Sequence, residues 1–307
     1  MVCPTESRRS GVFLDRLKAY IQDPPPNLAV EISEAGLAAA RLGARTEIGF
    51  AALKPGALTV SPVQENLIDP DEFSRAVRSL TAGEAVRKRR DVAVILPDYC
   101  TRIAVLDFDS FPGDAKEQAS LIRFRLKRSV PFDSESATLS YWPEPAVGKK
   151  VDVLVAMVPL EIVSRYEAPF RAAGMNPGLL IPSALAAIEL APDGGLSVLA
   201  KLTGRVLTVV ARRDSVPKLV RCLELPAPDL DEVAAVLAPT FVYLEDNLGG
   251  KPERLYLCGF GALTDEAERR FPEELETAVE AVRSPLGVPG ENNAGLLGYL
   301  RSIARNN

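Results

Sequence analysis

Short apolar runs alternate with helically spaced apolar positions along most of the chain. Three runs of strand length, at residues 28–33, 36–42 and 47–53, are separated by gaps of turn length and predict an antiparallel meander. Apolar residues at helical spacing then predict a helix over residues 71–82, and an apolar strand follows at residues 91–96. The first unit of the chain therefore has the order strand, strand, strand, helix, strand.

The same order recurs in the second half of the chain. The apolar pattern predicts three strands, a long helix and a fourth strand, at residues 196–202, 205–211, 216–221, 229–247 and 254–258. The fourth strand ends in the sequence Gly259-Phe260-Gly261-Ala262. We infer an α/β fold built from two β-β-β-α-β domains that share a pattern without obvious sequence identity.

A smaller α+β unit is predicted between these halves. It has strands at residues 102–108, 137–142 and 151–158, and a helix over residues 114–129. The strand at 151–158 is the most apolar, so we expect it to be central. The buried stripe of the helix is expected to be Ala115, Ala119, Ile122 and Leu126. A further helix over residues 160–173 ends at Gly174, a residue suited to a left-handed cap.

The order of these elements predicts how the domains are arranged. Residues 27–194 form the first domain, with the small subdomain inserted at about 97–158, and residues 195–290 form the second. Residues 291–307 form a C-terminal helix that returns to the first domain. Residues 1–26 hold an amphipathic helix over 11–22 and a stiff proline linker. That helix either packs on its own domain or faces a partner or a membrane, and the sequence leaves both open.

Composition excludes several classes of function. The chain has no histidine, which excludes Ser-His-Asp triads, histidine acid–base catalysis and histidine-ligated metal sites. A net charge of −5 argues against binding to nucleic acid. The cysteines are scattered without a CxxC pair, which predicts free thiols in a cytoplasmic protein. No apolar run approaches the ~20 residues that a membrane-spanning helix needs.

In the middle of the chain, a helix led by Phe111-Pro112 runs to Val130-Pro131-Phe132. This segment resembles the proline-led helix with an "IPF" ending of the PilM family of type IV pilus assembly. The strand, helix and turn that follow match at Ala156, Val163, Tyr166, Gly174 and Pro177, and the end of the chain matches at residues 293–298. The resemblance covers residues 27–301 and extends more distantly to FtsA and to the cytoplasmic part of GspL.

This resemblance implies an actin-like, ribonuclease H-like fold and a position beneath an inner membrane. There the chain would be a non-catalytic scaffold that binds the cytoplasmic N-terminal tail of a PilN-like membrane protein, beside other components of the pilus platform and with homo-oligomers left open. The inserted subdomain supplies apolar, aromatic and basic candidates for partner binding. These are Arg123, Phe124, Arg128, Val130, Phe132 and Tyr141.

The resemblance also implies a place for ATP and magnesium, in which glycine turns cradle the phosphates. The candidates for that place are Glu31, Ser33, Lys201, Gly204, Gly259 and Gly261. Most of the expected glycines of the two hairpins are missing, and Glu34 brings a negative charge to the phosphate position. We therefore predict a degenerate nucleotide site, a pseudo-ATPase, and assign no catalytic residue and no metal ligand.

Two alternatives remain open from the sequence. The first is an active or weak ATPase or kinase of the actin-like superfamily, in which Glu31 would serve the magnesium and Asp107 or Asp109 would act as the general base. The second is a GspL-like component of a type II secretion platform. Genome neighbourhood would separate a pilus role from a secretion role.

Overall fold

The computed structural model describes residues 25–43, 46–81, 90–145 and 150–305. The helix predicted over residues 11–22 lies outside the described residues. The three cysteines in the described part of the chain, Cys100, Cys222 and Cys258, are free thiols.

The first domain is built on a five-stranded sheet of order β3-β2-β1-β4-β8. Strands β1 and β2 form an antiparallel hairpin, and β4 and β8 run parallel to β1. The five strands are β1 (Leu28–Ser33), β2 (Gly36–Arg41), β3 (Ile48–Ala52), β4 (Arg90–Leu96) and β8 (Met175–Pro182). Helices α1 (Pro70–Thr81) and α3 (Leu160–Ala172) pack their apolar stripes on one face of this sheet.

The second domain repeats this plan. Its sheet has the order β11-β10-β9-β12-β13, with β9, β10 and β11 antiparallel and β12 parallel to β9. The strands are β9 (Leu196–Thr203), β10 (Val206–Arg213), β11 (Val216–Glu224), β12 (Arg254–Cys258) and β13 (Ala278–Ala281). Helices α5 (Leu230–Leu248) and α6 (Thr264–Glu274) cover one face. The order strand, strand, strand, helix, strand is thus present in both halves.

One apolar core joins the two sheets. The short helix α4 (Ser183–Ala187) and the last helix α7 (Ala294–Ala304) lie within it. Its residues come from β1 and β4 of the first domain, from α4 and α7, and from β9, β10 and β12 of the second. The last helix therefore packs between the domains, where its buried face serves both.

A separate small sheet of order β5-β7-β6 is inserted into the first domain. Its elements are β5 (Arg102–Phe108), α2 (Ala115–Leu126), β6 (Ala137–Pro143) and β7 (Val151–Pro159). The apolar strand β7 is central, as its composition predicts. Ile122 and Leu126 of α2 are buried against this sheet, but Ala115 is exposed and Ala119 half-buried, so the buried stripe is shorter than expected.

Local signals in the sequence fix several helix ends. Asp114 and Asp229 precede α2 and α5, and their carboxylates accept hydrogen bonds from backbone N–H groups of the first turns. Gly174 and Gly249 follow α3 and α5 with positive φ angles of 74° and 69°, which favour glycine. Within the described residues, no helix is both long and apolar enough to cross a membrane.

Candidate functional site

The cleft between the two domains begins at the end of β1, where Glu31 points into the protein. The Ser183 hydroxyl at the start of α4 donates a hydrogen bond to Oε1 of Glu31. The backbone N–H of Leu296 in α7 donates to Oε2 at 2.7 Å. Glu31 is 2% exposed. Both carboxylate oxygens are therefore occupied by protein donors from two helices.

A buried ion pair lies beside Glu31 and joins the domains. Asp98 follows β4, and its Oδ2 lies 3.2 Å from Nζ of Lys201 on β9. The Thr208 hydroxyl on β10 donates to the same oxygen at 3.2 Å, and the backbone N–H of Ala184 donates to Oδ1 at 2.7 Å. Lys201 also donates to the Thr203 hydroxyl at 2.7 Å. Asp98 and Lys201 are both buried. A buried ion pair needs such additional hydrogen bonds to offset the water that its two charges have lost.

Burial and charge act in opposite directions on the pKa values of Glu31 and Lys201. Burial raises the pKa of the Glu31 carboxyl, although the Lys201 charge and the hydrogen bonds from Ser183 and Leu296 oppose it. Burial alone would lower the pKa of the Lys201 ammonium, but the charges of Asp98 and Glu31 outweigh burial and raise it. Lys201 is thus a permanently charged partner of these carboxylates.

Lys201 is one of the candidate nucleotide residues predicted from the sequence, and the structure places its side chain inside this buried cluster. The Lys201 side chain is 2% exposed and already neutralised by Asp98. Strand β9 is buried on both faces, because every residue from Leu196 to Leu202 is buried. The Lys201 side chain therefore has no solvent face to point to. A phosphate near Lys201 would compete with Asp98 for its charge.

The other predicted nucleotide residues close turns of the chain, and two of them, Ser33 and Gly204, also line the cleft. Ser33 Oγ donates to the Gly36 carbonyl at 2.9 Å across the β1–β2 turn, and Gly204 forms the β9–β10 turn with φ of 55°. A Cβ at Gly259 would lie 2.2 Å from the Leu202 carbonyl oxygen, which explains that glycine by close backbone contact. Neither Gly259 nor Gly261 lines the cleft.

The cleft encloses about 310 Å³ and is dominated by carboxylates. Two cations face it, and each has a partner: Lys201 pairs with Asp98, and Arg205 lies 3.8 Å from Glu224. The charged lining residues are Glu31, Glu34, Asp98, Glu224 and Glu291 against Lys201 and Arg205. A triphosphate placed here would meet this excess of negative charge at short range, which costs binding energy.

Magnesium does not fit the cleft as it is built. A carboxylate that organises magnesium through water must face that water, but Glu31 is 2% exposed and its oxygens point at protein donors. Within the described ranges, no three metal-ligating side chains are grouped to hold an ion. Asp107 and Asp109, the alternative general bases, do not line the cleft, and Asp107 pairs instead with Arg125 and Lys150.

An apolar groove of about 640 Å³ lies between the inserted subdomain and the first domain. One wall is β6, the outer strand of the small sheet, and the other is β8, the outer strand of the large sheet. Side chains of α4 and α7 form its floor. Its main apolar lining residues are Leu139, Trp142, Leu180, Ile181, Leu185 and Ile303. We call this feature the apolar groove.

Of the six residues predicted to bind a partner, the structure brings Tyr141 into the apolar groove. Val130 and Phe132 pack on the small core, while Phe124 is 77% exposed on α2 and Arg128 is also exposed. Arg123 has a structural role, because its guanidinium donates to backbone carbonyls of Ser134 and Ala137. The predicted set is therefore spread over the subdomain.

Several residues of both sites were not found from the sequence. Asp98 and Ser183 give no signal, because each follows a proline at the end of a strand and resembles an ordinary turn residue. Trp142 carried a signal: it is the single tryptophan of the chain, and large aromatic residues favour binding surfaces.

The fold resembles those of several solved structures. It superposes on a structure described as the PilM-PilN type IV pilus biogenesis complex with a TM-score of 0.73 and 18% sequence identity, covering 92% of this chain and 99% of the other. A Bacteroides thetaiotaomicron protein with an actin-like ATPase fold matches with a TM-score of 0.53 and 10% identity, over 89% of this chain and 94% of that one. A third match is the cytoplasmic domain of EpsL, an inner membrane component of the type II secretion system of Vibrio cholerae, with a TM-score of 0.49 and 12% identity, over 91% and 94%.

No protein-family model and no curated protein matches the sequence. The structural matches confirm the actin-like fold class and the resemblance in fold to PilM that the sequence motifs predicted. At such low identity they establish the fold, and the function must be argued from the two sites.

Proposed function

We propose that this chain is a non-catalytic scaffold that binds the cytoplasmic N-terminal tail of a PilN-like membrane protein in the apolar groove. The observation that carries the proposal is the groove itself, which has about 640 Å³ and is walled by the outer strands of two different sheets. The likeness in fold to the PilM-PilN complex supports the choice of partner.

The shape and chemistry of the groove suit an extended peptide. Successive side chains of such a peptide point to opposite sides, so alternate apolar residues would pack against Trp142 on one wall and Leu180 on the other. Polar groups at one end of the groove could fix the direction in which a peptide lies. There the Tyr141 hydroxyl donates to Oε1 of Gln118 at 2.9 Å, and both residues line the groove. A volume of this size is within the usual range of ligand sites.

The non-catalytic part of the proposal rests on the interdomain cleft. Its two cations already have carboxylate partners, and Glu31 is buried with its oxygens turned towards protein donors instead of a hydrated magnesium ion. Productive transfer of a phosphoryl group depends on positioning and on charge stabilisation, and this cleft offers carboxylates where cations are needed. We therefore propose that the fold of the actin-like ATPases is kept here without their chemistry.

In this role the chain belongs to the assembly platform of a type IV pilus, on the cytoplasmic side of the inner membrane and held there through protein partners. A GspL-like place in a type II secretion platform would use the same groove, and the identity of the tail that binds decides between them. Self-association stays a prediction.

The experiment uses Trp142 as its reporter. Because the chain has a single tryptophan and it lines the groove, intrinsic fluorescence of the full chain reports occupancy. Titration with a synthetic peptide of the N-terminal tail of the PilN-like protein from the same cell should give a saturable change. Ser140→Phe adds bulk at an exposed position in the groove and should weaken binding by about tenfold or more, about 1.4 kcal/mol.

The matched control is Ser120→Phe, the same exchange at an exposed position on α2 that does not line the groove. It should leave the affinity unchanged. Tight binding that Ser140→Phe does not weaken would place the peptide elsewhere. A parallel calorimetric titration with Mg-ATP, with phosphate release followed beside it, tests the cleft. Binding tighter than about 100 µM together with phosphate release, both weakened by Glu31→Ala, would overturn the non-catalytic assignment.

A further inference from the structure

A second crevice lies on the other side of the inserted subdomain, facing the second domain. It encloses about 550 Å³, with β5 and α2 on one wall and β11 on the other. Both β5 and β11 are outer strands of their sheets. All its charged lining residues are arginines: Arg102 from β5, Arg125 from α2 and Arg221 from β11. We call this feature the arginine crevice.

Two of these guanidinium groups are held in place by protein contacts. Arg221 donates to the Thr240 hydroxyl at 2.9 Å, and its guanidinium carbon lies 5.4 Å from the centre of the Tyr243 ring. Arg125 lies over the Phe108 ring at 5.5 Å. Stacking of this kind orients the planar fork in advance, so less side-chain entropy is lost when an anion binds.

Arg102 carries a polar atom that the described residues leave without a hydrogen bond. Its Nε atom is buried and has no hydrogen-bond acceptor among the described residues. A buried donor of a charged group that stays unsatisfied costs free energy, because the group has lost water and gained nothing in return. An acceptor that enters the crevice from outside would remove that cost.

The carboxylate that pairs with Arg125 does not cancel the positive charge of the crevice. Asp107 lies 3.7 Å from Arg125, but it is also 3.5 Å from Lys150, and its side chain is 61% exposed. It does not line the crevice. The net charge of the chain is −5, so the electrostatic field of the whole protein does not attract anions. Any attraction comes from the three arginines of the crevice.

We propose that the arginine crevice binds an acidic peptide segment of a partner protein, with carboxylates held by the three guanidiniums. Arginine forks match carboxylates bidentately, and three arginines on two walls suit an extended chain better than one small ion. A bound segment would bridge the inserted subdomain and the second domain.

The test measures fluorescence anisotropy of a fluorescein-labelled octapeptide of alternating glutamate and serine, titrated with the full chain at low salt. Arg102→Gln and Arg221→Gln should each weaken binding by about fivefold, since each removes one charged contact. Asp107→Asn removes a competing carboxylate and should tighten binding. Arg254→Gln is the control, because Arg254 is an exposed arginine that pairs with Glu280 at 3.2 Å and does not line the crevice.

Equal weakening by Arg254→Gln would show attraction to surface charge in general and would overturn the proposal. Inorganic phosphate is titrated in parallel. If phosphate binds, if Arg102→Gln abolishes that binding, and if the peptide does not bind, the crevice is a site for small anions and the choice of a peptide is overturned. Urea unfolding of each variant separates a lost contact from a lost fold. The groove variant Ser140→Phe should leave this binding unchanged, so this proposal and the proposed function can fail separately.

Discussion

Glu31 lies at the end of β1 in the interdomain cleft, and protein donors bind both of its oxygens. Its burial raises its pKa above the ordinary value of 4.5. An acid whose pKa is raised in the folded state binds its proton more tightly there than in the unfolded chain. Its protonated form therefore stabilises the fold, and that contribution is lost as the pH rises from 4.5 through the pKa of the folded state.

Glu31→Gln isolates this effect, because an amide can accept from the Leu296 N–H and donate to the Ser183 hydroxyl. We expect the stability of the natural chain relative to Glu31→Gln to fall as the pH rises above 4.5. Urea unfolding of both proteins between pH 4.5 and 8 measures the difference. A difference that stays constant or increases with pH would contradict the assignment.

The ion pair between Asp98 and Lys201 should be strongly destabilised when one partner is removed. Asp98→Ala leaves the Lys201 ammonium buried without its counter-charge, so we expect a loss of about 3–5 kcal/mol in the free energy of unfolding. Adding Lys201→Met should recover part of this loss, since no buried charge then remains. Urea denaturation of the single and double variants gives the coupling between the two residues.

Asp107→Ala is the control for this cycle, because Asp107 is exposed and should change stability by about 0.5 kcal/mol or less. Losses that simply add in the double variant would show that Asp98 and Lys201 do not stabilise each other.

Glu31 and Lys201 of this cluster were singled out from the sequence, and Asp98 was missed. Glu31 stands on a strand whose place in the repeated pattern is readable. Asp98 stands in a single 3-10 turn (Asp98–Cys100) after Pro97, and its partners Lys201 and Thr208 are more than 100 residues away. No local pattern carries contacts of that range, which are set by how the two sheets pack.

Among the secondary-structure elements, those with clear periodicity were predicted to within a few residues. Strands β1, β5 and β12 have the predicted bounds. Strand β8 was not predicted, because Asn176, Pro177 and Gly178 look like a turn. It forms because β8 is an outer strand, where proline is tolerated, and a register shift opposite Val92 and Ala93 accommodates the irregularity. Helix α6 and strand β13 were missed as well.

Helix α7 packs between the domains because two of its residues have no side chain. A Cβ at Gly298 would lie 2.0 Å from the Ala186 carbonyl oxygen of α4. A Cβ at Gly295 would lie 2.6 Å from the Ser183 hydroxyl and 3.0 Å from Oε1 of Glu31. The two glycines therefore let α7 approach α4 closely enough for Leu296 to reach Glu31.

Gly298→Ala should destabilise the protein by about 1–3 kcal/mol, because the obstacle is backbone and cannot rotate away. Gly113→Ala is the matched control, since a Cβ there meets nothing within 4 Å. Thermal or urea unfolding of both variants measures the difference. Equal stability of the two variants would mean that α7 can shift without cost.

Over the whole molecule, the core that joins the two sheets decides how the domains behave. Ile95 of the first domain, Leu297 of α7 and Val210 of the second belong to one buried cluster. The Asp98–Lys201 pair adds a polar link across the same boundary. Neither domain can keep its buried surface if the other unfolds, so the chain is built as one unit.

We therefore expect the natural chain to unfold in one transition, although chains with more than one domain often do not. Trp142 reports on the inserted subdomain and the edge of the shared core, and far-ultraviolet circular dichroism reports on all helices and strands. The two signals should follow the same urea curve. Separate transitions would show that the domains are weakly coupled and free to hinge, as a working nucleotide switch requires. Coincident curves would instead favour a rigid body that presents its groove and crevice in fixed positions, which is the property a scaffold needs.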